Sequence, residues 1–219
     1  MIETLRNQNY DWIMWLDADT LILNHSKNLD TAMDDRYDVV LTSGPPDEKR
    51  WKNIVNSGAF LVKNSKFGIE FLHDIMTWSG KNCNEFMGLY PQAKIPINGW
   101  LRACNPKTGR FWLNDQGVVQ AVFYFKEPQY KCHIKQVHFQ HFNSEYPWVV
   151  EKDMIVHLPG RKHANRKEII NIFLKNADFE TGKIAKSAQL SFVKLQHTLD
   201  EFDKLYDSEY NVECSSLQV

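Results

Sequence analysis

The sequence predicts an α/β fold in which helices pack against a sheet. Three short apolar stretches, residues 12–16, 38–42 and 59–62, have the length and the aromatic or β-branched content of buried strands. Apolar residues recur at helical spacing within residues 67–78, where Ser65 is the expected N-cap, and within residues 118–123 and 166–177. The chain has 219 residues, 43% of them hydrophobic, which suits one compact domain with a small appendage.

The first strand, residues 12–16, contains no polar residue, and we expect it to be covered on both faces. It is followed by Asp17 and Asp19, whose side chains point the same way if the segment stays extended. Open α/β sheets bind ligands at this carboxyl end of their strands. Two close carboxylates repel each other, and a hard divalent cation relieves that repulsion. The pattern predicts a metal site, and the simpler alternative is a turn in which one aspartate caps the next element.

Phosphatases with an aspartate nucleophile also have an aspartate pair directly after a strand. In these enzymes, a threonine lies two positions after the second aspartate. Here Leu21 occupies that position, and Thr20 comes one residue early. The mismatch disfavours a phosphatase without eliminating it.

Polar residues also occur where other predicted strands and helices begin or end. They are Asn56, Ser57 and Gly58 before a strand, Asp115 and Gln116 at a helix start, and His157 after a strand, followed by Gly160, Arg161 and Lys162. An imidazole can complete a metal site that two carboxylates begin. A glycine backbone beside two cations suits a diphosphate. We expect these groups at one sheet edge; the ordinary alternatives are a turn, a helix N-cap and a buried structural histidine.

Residues 131–142 carry several further metal-ligating side chains, Cys132, His133, His138 and His141. Their spacing matches no closed structural zinc pattern. Alternating apolar and polar residues instead predict an edge or half-buried strand. The four cysteines of the chain leave two disulfides and four free thiols equally open.

Whole-chain properties exclude some partners. A formal net charge of -1 gives no case for binding nucleic acid or a membrane surface. No stretch resembles a membrane span or a secretory signal, although Asn24-His25-Ser26 is a glycosylation acceptor pattern. Apolar residues three to four apart within residues 195–206 predict an amphipathic helix that packs on the core or on a partner protein. We therefore expect a core over residues 1–178 and a helix with a tail over 179–219.

Five segments, in this order, resemble the retaining galactosyl/mannosyl transferases of the fungal Golgi, relatives of the plant xyloglucan xylosyltransferases. They are the aromatic strand with Asp-x-Asp and a following asparagine (12–24), Asn-Ser-Gly-Ala-Phe-Leu-Val-Lys-Asn-Ser (56–65), Asp-Gln (115–116), Phe-Asn-Ser-x-Tyr (142–146) and Asp-Met-Ile-Val-His-Leu-Pro-Gly (153–160). The resemblance extends over residues 7–177. It implies a GT-A fold, with a mixed sheet flanked by helices, a nucleotide-sugar donor and dependence on Mn²⁺.

The resemblance also implies a role for each matching residue. Asp19 and His157 would coordinate the metal, and Asp17 would reach the metal or the ribose. Asn56, Ser57 and Gly58 would line the donor-sugar pocket. Asp115 and Gln116 would lie beneath the anomeric carbon. Arg161 or Lys162, beside Gly160, would hold the leaving diphosphate, whose negative charge a cation and a basic side chain stabilise.

The sequence departs from the family in three respects. The first nucleotide-binding strands and the N-terminal membrane anchor do not precede the Asp-x-Asp strand, and Leu158-Pro159-Gly160-Arg161 stands where the family has Ala-Gly or Val-Gly-Cys. We therefore expect a fragment, a chain that works with another segment, or one that has lost donor binding.

The expected function is transfer of a hexose or pentose from a nucleoside-diphosphate sugar to a glycan or glycoprotein acceptor, in the Golgi lumen or at its membrane. The alternative is a non-catalytic relative that serves as a partner or glycan-binding subunit. A partner or glycan would then associate through the aromatic residues of 81–113, a segment that we expect to be irregular, and through the C-terminal helix.

Overall fold

The computed structural model describes residues 1–7, 9–44, 55–91, 104–105, 107–111, 115–125, 128–160 and 163–185. Within these ranges the chain has a mixed α/β fold of small sheets and helices. The predicted helix within residues 195–206, and both Arg161 and Lys162, lie outside the described residues.

The described residues form six α-helices, a 3₁₀ helix and eleven strands. The helices are α1 (Ile2–Asn7), α2 (Lys66–Ser79), α3 (Cys83–Leu89), α4 (Asp115–Phe125), α5 (Pro128–His133) and α6 (His163–Asn176), with a 3₁₀ helix at Phe139–His141. The strands are β1 (Trp12–Leu16), β2 (Thr20–Ile22), β3 (Val39–Ser43), β4 (Val55–Lys63), β5 (Cys104–Asn105), β6 (Arg110–Phe111), β7 (Ile134–Val137), β8 (Ser144–Glu145), β9 (Ile155–His157), β10 (Ala177–Asp178) and β11 (Lys183–Ile184).

The largest sheet has the strand order β1-β4-β3-β7. Strand β4 is antiparallel to both β1 and β3, and β3 is parallel to β7. Helices α2 and α4 cover one face, where Phe71 and Val122 lie in the main apolar cluster with Val62 of β4. On the other face, Leu61 of β4 packs with Ile155 of β9. Strand β4 is buried on both faces, although only its second half, Ala59 to Val62, is continuously apolar and its first half contains the buried polar residues Asn56 and Ser57.

A second sheet of three strands has the order β2-β9-β8. Strand β9 is antiparallel to β2 and parallel to β8. The hydrogen-bonded pairing of β2 with β9 sets Thr20 opposite His157. Residues more than 130 positions apart in the sequence therefore lie side by side in space.

The predicted helix start at Ser65 is confirmed. The Ser65 hydroxyl accepts a hydrogen bond from the backbone N–H of Gly68 at 3.0 Å, as an N-cap does. Phe71, Leu72 and Trp78 then form the buried face of α2.

The prediction that β1 is covered on both faces is confirmed only in part. Ile13 packs against the main apolar cluster and Met14 against the cluster on the opposite face, but neither is fully buried. Its residues are mostly half-buried, and 42% of the Trp15 surface is exposed. Within the described part of the chain, β1 lies at the edge of its sheet and pairs only with β4. Tryptophan tolerates such a position because its indole N–H keeps a polar partner, here Oδ1 of Asp17 at 2.9 Å.

Residues 81–113 were predicted to be irregular, and this is wrong for part of them. Helix α3 begins after Asn82, whose side chain accepts a hydrogen bond from the N–H of Asn84 at 2.8 Å. A disulfide joins Cys83 at the start of α3 to Cys104 of β5. Trp100 and Trp112 of this segment lie outside the described residues.

Packed residues continue after α6 as far as Ile184. Strands β10 and β11 pair across a turn that contains Gly182 at φ 68°. Ile184 and Phe179 pack against residues of α6 and β9. Asn24 of the acceptor pattern is buried and lies against this turn. The contact is close, since a Cβ on Gly182 would lie 2.8 Å from the Asn24 side chain.

Candidate metal centre

A tight turn between β1 and β2 holds the two aspartates. The Asp17 N–H donates to the carbonyl of Gly58 at 2.8 Å, which extends the β1–β4 ladder by one residue. The Thr20 hydroxyl donates to the Asp17 carbonyl at 2.8 Å, and the Leu158 N–H donates to the Asp19 carbonyl at 3.0 Å. The backbone of both aspartates is thus fixed to β4 on one side and to the end of β9 on the other.

His157, the last residue of β9, meets these carboxylates. Its Nε2 atom lies 3.7 Å from Oδ2 of Asp17 and 3.3 Å from Oδ1 of Asp19. One ligand atom from each of the three side chains lies within 4.8 Å of the other two. The structure therefore brings together the three residues that the sequence predicts as metal ligands, while their binding of a metal stays a prediction.

Gly58 makes room for the imidazole. A Cβ atom at this position would lie 2.0 Å from Cε1 and 2.5 Å from Nδ1 of His157. The Gly58 N–H also donates to Oδ1 of Asn56 at 2.7 Å, which orients that amide. Close approach of the His157 ring, and not a positive φ, therefore explains the glycine at position 58.

The imidazole of His157 is deeply buried, with 2% of the residue exposed. Neither ring nitrogen has a hydrogen-bond partner among the described residues, because the contacts to Asp17 and Asp19 are ion-pair distances without hydrogen-bond geometry. Burial lowers the pKa of His157, and the charges of Asp19 and Asp17 only partly oppose this effect. The ring is therefore neutral near pH 7, which is the form that binds metals.

Arg166 of α6 completes the centre, although the sequence analysis did not select it. Its Nη2 donates to Oδ2 of Asp19 at 2.8 Å, and its Nε donates to the Leu158 carbonyl at 3.2 Å. A cavity of about 500 Å³ opens here, lined by Asp17, Ala18, Asp19, Arg166, Lys167, Ile170 and Asn171. No sequence signal distinguishes Arg166 from the neighbouring cations, since only the packing of α6 selects it.

Asp115 lies in a separate contact on the other side of β4. The Ser57 hydroxyl donates to Oδ2 of Asp115 at 3.2 Å. Ser57 and Gly58 are consecutive in a strand, so their side-chain positions face opposite sides of the sheet. Gln116 follows in the first turn of α4 and is half-buried. The structure thus forms two neighbouring contacts where the sequence analysis expected one cluster.

Glu145 is a further residue that the sequence analysis missed. The Asn56 amide donates a hydrogen bond to Oε1 of Glu145, and Glu145 lies beside His157 in the β8–β9 ladder. Within the predicted motif 142–146 it occupied the variable position.

Gly160 does not contact this centre through a close approach. It has φ 65°, and a Cβ built on it would meet no atom within 4 Å. A turn conformation therefore accounts for this glycine.

Comparison with known proteins gives a partial match. Residues 3–93 match the model of a family described as "Protein of unknown function, DUF273". That segment is similar to the family and includes both aspartates and residues 56–58, whereas His157 and Arg166 lie beyond it. The chain matches no functionally curated protein. Across the described part of the chain, no helix is both long and apolar enough to cross a membrane.

Proposed function

We propose that this chain is the catalytic core of a metal-dependent, retaining glycosyltransferase with a GT-A type fold. It would move a hexose or pentose from a nucleoside-diphosphate sugar to a glycan or glycoprotein. The observation that carries the proposal is the convergence of Asp17, Asp19 and His157 beside an open cavity. The resemblance of five ordered segments to the retaining galactosyl/mannosyl transferases supplies the reaction class.

The donor set fits a divalent cation such as Mn²⁺. Two carboxylates and one neutral imidazole offer the mixed oxygen and nitrogen ligands that this ion accepts. A buried imidazole without a hydrogen-bond partner costs stability, so a ligand for the ring explains why it is kept. When bound, the cation would supply positive charge that stabilises the leaving diphosphate.

Other residues of the chain would bind and orient the sugar. The buried Asn56 amide is bonded to the Gly58 N–H and to Glu145, so Asn56 would hold Glu145 in place as a hydrogen-bonding group for sugar hydroxyls. Ser57 holds the Asp115 carboxylate on the other side of β4 from His157. It is by the resemblance alone that this carboxylate would face positive charge that develops at the anomeric carbon. Gln116 would contribute an amide beside it.

The disulfide between Cys83 and Cys104 supports the expected compartment. Disulfides persist in oxidising environments such as the secretory pathway. A Golgi location is therefore part of the proposal, together with Mn²⁺ as the working metal.

The test is binding of a nucleoside diphosphate, measured by calorimetry with Mn²⁺ and again with excess EDTA. We expect saturable binding only with Mn²⁺, and its loss in the double variant Asp17→Asn/Asp19→Asn. The control is Asp34→Asn/Asp35→Asn, which removes two neighbouring acids that pair with Arg36 and Lys63.

Two results would contradict the proposal. One is wild-type protein that binds no nucleoside diphosphate with any divalent metal. The other is glycan or protein binding that persists in the Asp17/Asp19 double variant without any nucleotide binding, as the non-catalytic alternative predicts.

A further inference from the structure

The carboxylate of Asp19 lies between the neutral imidazole of His157 and the positively charged guanidinium of Arg166. Its Oδ1 lies 3.3 Å from Nε2 of His157, and its Oδ2 accepts a hydrogen bond from Nη2 of Arg166 at 2.8 Å. Arg166 is held a second time, by the carbonyl of Leu158 at 3.2 Å. The backbone of Leu158 is itself bonded to Asp19. A guanidinium is therefore fixed at the border of the candidate metal centre.

Acidic residues alone would not make this a metal site. The independent observation is His157, which is almost fully buried and has two ring nitrogens without hydrogen-bond partners in the described structure. That ring is directed at both aspartates. The centre thus has a ligand set, and Arg166 is an additional charge beside it.

The charge of Arg166 opposes the binding of a lone cation. A divalent ion and a guanidinium a few ångströms apart repel each other. Even at the dielectric constant of water, this repulsion lowers the affinity for the ion by roughly tenfold. The hydrogen bond also withdraws one oxygen of Asp19 from the metal. By holding the Asp19 carboxylate in place, Arg166 also favours cation binding, but we expect the charge repulsion to have the larger effect on the affinity for the cation.

The same charge favours an anion in the neighbouring cavity. Arg166 lines that cavity together with both aspartates, Lys167 and Asn171. The two contacts to Asp19 and Leu158 use two of the five N–H donors of the guanidinium. Its fork geometry suits phosphate oxygens, and such charge-assisted bonds are about twice as strong as neutral ones.

We propose that Arg166 couples the cation to the diphosphate. It weakens binding of the cation alone and strengthens binding of the cation together with a diphosphate, so that the two ligands load as a pair. This inference rests on the proposed function, which supplies the cation and the diphosphate. Thermodynamic linkage requires that each ligand strengthen the other by the same factor.

The experiment uses MnCl2 and inorganic pyrophosphate as probes. Free Mn²⁺ is counted by electron paramagnetic resonance, without pyrophosphate, and pyrophosphate affinity is then measured at saturating Mn²⁺. Arg166→Gln is expected to bind Mn²⁺ alone about three- to tenfold more tightly and pyrophosphate about tenfold more weakly. Arg166→Lys keeps the positive charge but lacks the paired N–H donors of the guanidinium. It should retain the Mn²⁺ affinity and lose at least about threefold in pyrophosphate affinity.

The matched control is Lys175→Gln on the same helix. It removes the same charge nine residues further along α6, about 13 Å away along the helix axis. We expect both affinities to stay within about twofold of wild type.

The outcomes separate this inference from the proposed function. If wild type binds neither Mn²⁺ nor pyrophosphate with Mn²⁺, the proposed function fails. If wild type binds both, and Arg166→Gln binds Mn²⁺ more weakly or keeps the wild-type pyrophosphate affinity, the coupling is overturned and the proposed function stands. Should Arg166→Gln not fold, an unchanged pyrophosphate affinity in Arg166→Lys overturns it instead.

Discussion

Two regions of this molecule carry metal-ligating side chains, and they differ in how those side chains are used. In residues 132–141, the side chains of Cys132, His133 and His138 are bonded within the fold. Nδ1 of His133 lies 2.6 Å from Oδ2 of Asp38, Nδ1 of His138 accepts from Gln140, and Cys132 is in a disulfide.

At the other region, Asp17, Asp19 and His157 come from segments far apart in sequence, and the imidazole nitrogens keep no hydrogen-bond partner among the described residues. Among those residues, this is the group of acids and histidine close enough to share an ion. Close spacing of such residues in the sequence thus did not bring their ligand atoms together around one point. Strand pairing did so for Asp17, Asp19 and His157.

The largest effect expected from this contrast concerns the two histidines. His157→Ala should lower Mn²⁺ affinity by more than about a hundredfold, because it removes a predicted ligand. His133→Ala should leave it within about twofold, since His133 is already paired with Asp38. Calorimetric Mn²⁺ titration of both variants measures this, and equal losses in the two would erase the distinction between the regions.

Gly58→Ala tests the close approach beneath the ring. The new Cβ would overlap the His157 imidazole, so the ring must move. We expect a loss of about 1–3 kcal/mol in the free energy of unfolding, as for other overpacked sites, and about tenfold in Mn²⁺ affinity.

Gly88→Ala is the control for that change. Gly88 lies in α3 with open space around it, so alanine should be neutral or stabilising by up to about 1 kcal/mol. Urea unfolding and Mn²⁺ titration check both variants. A stable Gly58→Ala protein with wild-type Mn²⁺ affinity would show that the ring position is unimportant.

The pH dependence of metal binding sharpens the comparison further. Burial lowers the pKa of His157 below its usual value of 6.5. Protons should therefore compete with Mn²⁺ only below that pH, with affinity falling roughly tenfold per pH unit beyond the folded pKa. For stability the sign is the same, because the unfolded chain takes up the proton first and folding weakens as pH falls below 6.5.

Mn²⁺ titrations between pH 5 and 8, with NMR of the histidine ring protons, measure this dependence. Asp17→Asn should move the titration of His157 to still lower pH, because that carboxylate raises its pKa. A midpoint for His157 above 6.5 would be inconsistent with a buried, neutral ligand.

The smallest effect is expected on the far side of β4. Ser57→Ala removes the hydroxyl that donates to Asp115 and should leave Mn²⁺ affinity within about twofold. The free energy of unfolding should fall by about 0.5–1.5 kcal/mol, the usual net value of one hydrogen bond. If Mn²⁺ affinity fell tenfold instead, the two contacts would belong to one site, as the sequence analysis expected.

The sequence by itself determined most local structure and the candidate ligands. Apolar runs and helical spacing identified β1, β3, β4, β9 and helices α2, α4 and α6, because these patterns are local. Asp17, Asp19 and His157 were selected because each follows a strand. The serine at the start of α2 was recognised as an N-cap for the same local reason.

Tertiary structure decided what those local rules leave open. Burial of β1 depended on its place at a sheet edge, and Trp15 remained exposed there. Gly58 contacts the His157 imidazole because the end of β9 lies close to it. Arg166 contacts Asp19 because α6 packs beside the β1–β2 turn. Such contacts join residues about a hundred or more positions apart. Their energies depend on distances between segments, which no local pattern of residues encodes.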